Sequence, residues 1–271
     1  MTGFAATCRQ VVILCALAAS LASTQGFGQS FEFAAIGDTG YSKKSEAEFD
    51  RVIAAMNRET LAFVVHVGDF EADPRPYMRS PATVTEPCTD DSFKRVLAQF
   101  ESSAHPIILT PGDNDWTDCH LLKPRVVDPL ERLAKLREMF YRPGRSLGKR
   151  TIAVESQSTD PKFAKFRENL AWTVNGVTFM TIHLVGSNNN RGRTPEMDAE
   201  SDERMAANIV WLKKAFADAK ARNSAGLVLI TQANPGFETH WTPSLVGRYF
   251  RLFPGVKPPA KLPPSGFDDI L

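Results

Sequence analysis

The sequence predicts an α/β protein with mixed sheets, and three observations carry that expectation. Apolar strand-like runs end three times on a Gly-Asp turn, helical apolar spacing fills the intervals, and a hairpin signal enters only later in the chain. The three runs are Phe31 to Ile36, Leu61 to Val67 and Pro106 to Thr110. Their turns are Ile36-Gly37-Asp38-Thr39-Gly40, Val67-Gly68-Asp69-Phe70 and Pro111-Gly112-Asp113-Asn114-Asp115. Repetition of strand–Gly–Asp places the carboxylates on one edge of a parallel sheet, where ligands bind in open α/β folds.

The remaining elements follow in order. Ser45 to Asn57 reads as a helix with Phe49, Val52, Ile53 and Met56 on one face. Glu71 to Asp90 is rich in Pro, Asp and Thr and reads as a long loop over the sheet edge. Asp91 to Glu101 and Val126 to Met139 carry helical apolar spacing. Leu170 to Val174 and Val177 to Val185 flank Asn175-Gly176, a two-residue hairpin signal. Ser201 to Arg222 is the longest helical stretch, with Met205, Ile209, Leu212, Phe216 and Ala219 as its buried stripe. Gly226 to Thr231 is a further buried strand, and after Pro235 the chain turns irregular and Pro-rich.

A length of 271 residues suits one large domain or two small ones, and 43% hydrophobic with 23% charged residues is ordinary for a globular chain. A net charge of +1 with no basic cluster argues against a nucleic-acid footprint. At the N-terminus, Arg9 precedes an uncharged apolar run from Val11 to Ala22, followed by small and polar residues. That order is a signal peptide over residues 1–28, too short for a comfortable membrane span. The expected domain therefore runs over 29–271, the expected location is periplasmic or secreted, and no stable membrane span remains after removal. Cleavage removes Cys8 and Cys15 and leaves Cys88 and Cys119. An even pair in an exported protein reads as a disulfide, with two free thiols as the alternative. Closing that loop contributes about 3–4 kcal/mol in the chain-entropy model.

Converging hard oxygen ligands suit a divalent metal. A single Gly-Asp after a strand is an ordinary turn; three at successive strand ends point to a shared site. Asp38, Asp69 and Asp113 are the expected metal ligands, with Asp69 as the bridge between two ions. Asn114 and Asp115 stand beside them as candidate catalytic residues. His120, close to the third turn, and His183, at a buried strand end, are the candidate proton donors or ligands. His66 reads as a core histidine and His105 as a surface one; His240 lies in the irregular tail.

The order D-x-G, G-D, then G-[ND]-x-[DE], each closing a strand, resembles the calcineurin-like metallophosphoesterases, and Asp38-Thr39-Gly40 is closest to the purple acid phosphatase type. The resemblance runs from about Phe31 to Pro235. It implies a four-layer α/β/β/α sandwich, two divalent ions (Fe, Mn or Zn), a metal-activated water, and a phosphomono- or diester substrate. The departures are specific. Asn114 replaces a catalytic His, and an amide does not titrate. Ile230-Thr231-Gln232-Ala233-Asn234-Pro235 holds no His where a ligand is expected, leaving Gln232 and Asn234 as its polar candidates, and a final G-H-x-H is absent. The end at Phe267 to Leu271 looks like a helix start, which leads to the expectation of a truncated chain. Two alternatives to the hydrolase stay open: a degenerate relative that binds metal or phosphate without catalysis, and a structural protein whose acidic turns serve only as caps.

Overall fold

The computed structural model describes residues 30–80 and 86–235. The signal-peptide segment, His240 and the Pro-rich tail lie outside the described residues.

The first sheet is built from β1 (Ala34–Ile36), β2 (Val64–His66) and β3 (Ile107–Leu109), all parallel, in that order. Between them run α1 (Lys43–Met56), α2 (Pro74–Arg79) and α3 (Asp90–Ser102). A 3-10 turn, Thr117–Leu121, and α4 (Pro129–Phe140) follow β3. The second sheet has the order β4 (Glu155–Ser156), β5 (Leu170–Val174), β6 (Val177–Thr181) and β7 (Gly226–Ile230). Its first two pairings are antiparallel and the last is parallel. The long helix α5 (Pro195–Ala221) connects β6 to β7. The protein is thus an α/β fold of two sheets flanked by helices, with mixed pairing confined to the second sheet.

Period-2 alternation in the short strands sorts the side chains. Phe63, just before β2, meets Phe179 of β6 at 4.9 Å and Trp172 of β5 at 5.3 Å, so aromatic rings fill the space between the sheets. Val64 and His66 point the other way. His66 lies edge-on to Phe49 of α1 and within 5.1 Å of Phe100 of α3. On the far side of the second sheet, Met205, Trp211 and Ala215 of α5 cluster with Ala171 and Met180. Each sheet therefore has one face on its neighbour and one on helices, which is why Val64, Val65, Ile107 and Ile108 are all buried.

Capping chemistry sets the helix starts. Ser42 and Ser45 close a capping box at α1, and Thr89 and Ser92 close another at α3. Asp128 caps α4 with Pro129 at the first position, so that helix starts three residues later than its apolar spacing suggests. Thr194 caps α5 ahead of Pro195, and its first turns carry Glu196 and Asp198. They add the six residues that a search for an apolar stripe leaves out. α2 falls inside the stretch expected to be loop, because Asp73 caps it and Pro74 starts it rather than breaking it. Cys88 and Cys119 form a disulfide, as expected, with 5.8 Å between their Cα atoms. It ties the segment before α3 to the 3-10 turn.

Phe63→Ala would empty the centre of the inter-sheet aromatic cluster, where the side chain is fully buried. The expected cost is about 3–5 kcal/mol, read from denaturant unfolding.

Candidate functional site

The three acidic turns converge at the carboxyl ends of β1, β2 and β3. Asp115 organises them. Its fully buried carboxylate accepts the N–H groups of Gly112 at 2.7 Å, Asp69 at 3.0 Å, Phe70 at 2.8 Å and Glu71 at 3.1 Å. The second and third turns are thereby laced together. The N–H groups of Asp38 and Thr39 donate to the carbonyls of Gly68 and Asp69, which adds the first turn. Contact between the turns is too close for side chains: a Cβ at Gly68 would lie 2.2 Å from the Gly112 nitrogen, and one at Gly112 would lie 2.0 Å from Asp69 Oδ1. Gly68 also has φ of +86°.

His66 supports the first turn from below. The Gly68 N–H donates to its Nδ1 at 3.2 Å, so the ring proton sits on Nε2 and faces Thr39 Oγ1 at 2.8 Å. Burial pushes His66 down to about 3, so the ring is neutral. This is the core role expected of it. His105 is buried rather than surface-exposed, with its Nε2 2.9 Å from the Met56 carbonyl.

The carboxylates themselves are engaged by protein groups. Tyr41 Oη donates to Asp38 Oδ1 at 2.8 Å, and the Asn114 amide nitrogen lies 3.5 Å from the same phenol oxygen. The Asn114 N–H donates to Asp69 Oδ1 at 3.2 Å. Gln232, just beyond β7, accepts the Gly186 N–H on its Oε1 at 2.8 Å. That bond fixes the amide orientation and turns its NH₂ toward the carboxylates. Its Nε2 lies 3.0 Å from Asp69 Oδ2 and 3.1 Å from Asp113 Oδ1. Burial raises the Asp69 carboxyl above the usual range, and the neighbouring Asp115 and Asp113 charges raise it further.

Ser187 joins from the other side. Its Oγ lies 3.0 Å from Asp113 Oδ2 and 2.6 Å from Asp118 Oδ1. The backbone here is unusual: Ser187, Asn188, Asn189 and Asn190 have φ of 49°, 54°, 53° and 71°, four consecutive left-handed residues without a glycine. Such a conformation costs roughly 1 kcal/mol or more per residue, so surrounding bonds must hold it. Arg204 donates to the Asn189 carbonyl and side chain, Ser201 Oγ donates to the same carbonyl at 2.7 Å, and Thr117 Oγ1 donates to Asn190 Oδ1 at 2.6 Å.

The two remaining histidine candidates sit apart from the carboxylates' bonds. His183 is fully buried; its Nδ1 faces Glu168 Oε1 at 2.8 Å, and Trp116 packs edge-on to its ring at 5.4 Å. Burial pushes its ring down to about 4, so it is neutral and donates from Nδ1. Burial opposes the Glu168 charge, yet Arg137 and His183 outweigh it and hold the carboxyl well below the usual range. His120 lies in the 3-10 turn with Nδ1 2.7 Å from the Thr117 carbonyl and Arg193 beside the ring.

The expected two-metal centre is corrected by this geometry. Among the described residues, no group of three or more His, Cys, Asp or Glu side chains is placed to hold a metal ion. The gap between Asp69 and Asp113 takes the Gln232 amide, an N–H donor that cannot serve as a ligand through that atom, and Asp38 Oδ1 is turned to Tyr41. With the centre go the two divalent ions, the metal-activated water, and the reading as a metallophosphoesterase, hydrolase or phosphatase. The alternative of a metal- or phosphate-binding relative goes too. A phosphoester partner is also corrected, because this edge presents carboxylates to an anion. The chain matches no family model, no curated protein and no solved structure, so the calcineurin-like resemblance has no support beyond the three turns. No helix among the described residues is long and apolar enough to cross a membrane.

Tyr41, Asp118, Ser187 and Arg204 escaped the sequence reading. Tyr41 and Asp118 each lie within a few residues of an acidic turn, a signal that was present. Ser187 follows the buried strand end at His183, which could face the site, whereas Arg204 lies within a helical stretch whose apolar stripe gives no sign of it.

Glu168 gives a pH test of the buried network. A carboxyl held below its unfolded value of about 4.3 contributes stability above that value, which is lost as pH falls through the folded one. Glu168→Gln should cost about 3 kcal/mol near neutral pH by stranding Arg137. The gap to the parent should narrow in acid, followed by urea unfolding across pH.

Proposed function

We propose that this chain is an exported binding protein whose carboxylate edge takes a small cationic N–H donor, an ammonium or guanidinium group. One observation carries the reading: the gap between Asp69 Oδ2 and Asp113 Oδ1 is already filled by an N–H donor, the Gln232 amide, at 3.0 and 3.1 Å. A charged donor of the same geometry makes the same bonds with charge assistance, which roughly doubles their strength. Asp38 is exposed at the rim, Asp113 and Gln232 are half-buried, and Asn114 closes one side. No lysine or arginine among the described residues forms an ion pair with Asp38, Asp69 or Asp113, and a bound cation would favour the charged form of Asp69, whose carboxyl burial holds above the usual range. Asp115 acts here as the group that positions the turns. The Cys88–Cys119 bridge supports a periplasmic or secreted location.

Titration with methylguanidinium and methylammonium, followed by calorimetry and backbone NMR, tests the reading. Binding is expected, and Asp113→Asn should weaken it about tenfold, a change near 1.4 kcal/mol. Gln232→Ala should strengthen it by removing the internal competitor. If neither cation shifts the resonances of Asp69, Asp113 or Gln232, the reading is wrong.

A further inference from the structure

Arg204 is a fully buried arginine whose every N–H finds an acceptor. Its Nε donates to Glu200 Oε1 at 2.7 Å and one terminal nitrogen to Glu200 Oε2 at 3.1 Å. The terminal nitrogens also reach the His183 carbonyl at 2.9 Å, the Asn189 carbonyl at 3.0 Å and the Asn189 side-chain oxygen. The guanidinium lies over the Trp116 ring at 5.5 Å. A guanidinium offers five N–H donors in a rigid fork, and all five are used. Two of its acceptors belong to Asn189, the third of four consecutive left-handed residues.

That turn faces the carboxylates. A Cβ at Gly186 would lie 2.4 Å from Asp113 Oδ2, and Ser187 Oγ touches both Asp113 and Asp118. Left-handed backbone without glycine persists only where its surroundings over-determine it. Asn189 is buried and fastened by Arg204 and Ser201, whereas Ser187 is exposed. The bracing therefore lies beneath the turn and the hydroxyl lies on top.

We infer that Arg204 is a positioning residue: it holds residues 187–190 in the left-handed turn, and the turn sets Ser187 Oγ against Asp113 at the edge of the cation site. The link to binding rests on the cation-binding reading given above; the link from Arg204 to the turn does not. Lysine, with three donors on a point charge, cannot span Glu200, His183 and Asn189 together.

Arg204→Lys separates these links. The full chain is compared with the parent by backbone chemical shifts of residues 187–190, which report the sign of φ, and by calorimetric affinity for methylguanidinium. The expected result is loss of the left-handed shifts and about tenfold weaker binding, while the shifts of β1, β2 and β3 stay in place. Asn188→Gly provides a second variant, because glycine accepts positive φ; it should keep the left-handed shifts, and their loss there would overturn the turn as a stable left-handed unit. Left-handed shifts retained in Arg204→Lys would overturn the bracing role. Shifts lost with binding unchanged would overturn the positioning role. A parent protein that binds no methylguanidinium sinks the cation site and with it the link to binding, while the shifts still decide whether Arg204 holds the turn.

Discussion

One carboxylate holds the edge of this protein together. Asp115 is fully buried and spends its lone pairs on four backbone N–H groups from two different turns. Those groups have no strand or helix partner, because each chain has just left a parallel strand and reversed direction. Left unpaired in the interior they would each cost on the order of 1–3 kcal/mol. A single anion satisfies all four and fixes the distance between Asp69 and Asp113. The positions of Asn114 and Gln232 follow from that distance, since both bond to the carboxylates Asp115 holds apart.

The placement of such a clamp depends on the two-sided burial of the first sheet. Aromatic rings from Phe63, Trp172 and Phe179 pack the sheets face to face, and α1 and α3 cover the opposite side. With β2 and β3 buried throughout, these strands can present side chains to solvent at their ends. His66 shows how strongly burial governs this region. Its ring is neutral and its tautomer is set by one backbone N–H, so it serves as a strut between Gly68 and Thr39.

Local signals were legible in the sequence and long-range ones were not. The Gly-Asp turns, the Asn175-Gly176 hairpin, α1 and α3 follow from neighbours in the chain, the Cys88–Cys119 pairing follows from an even count of two, and all appear in the structure. Convergence of Asp69 and Asp113 on one point was legible too, because parallel strands end on one edge. Gln232 was legible as a polar candidate at the expected ligand position, but its donation to both carboxylates was not. Gln232 lies 163 residues from Asp69 and 119 from Asp113, and reaches them only because β7 pairs parallel to β6. Chemistry inferred from the carboxylates alone therefore chose a cation where the fold supplies an amide. α2 is hidden for a different reason: the Pro, Asp and Thr content of its stretch reads as loop, although proline is at home in a first helical turn.

The left-handed turn at Ser187–Asn190 follows a different logic from the rest of the fold. At the capped starts of α1 and α3, local preference and tertiary packing agree. Here four residues adopt backbone angles that L-amino acids disfavour, and asparagine occupies three of the four positions because it tolerates them better than most. A chain free to relax would use glycine, as it does at Gly68 and Gly176. Asparagine side chains are retained because they bond outward: Asn189 to Arg204 and Val185, Asn190 to Thr117, Glu200 and Met197. The backbone penalty and the side-chain bonds are thus two parts of one arrangement. It fastens the second sheet's connection to the 3-10 turn and leaves a single hydroxyl, that of Ser187, pointing at the carboxylates.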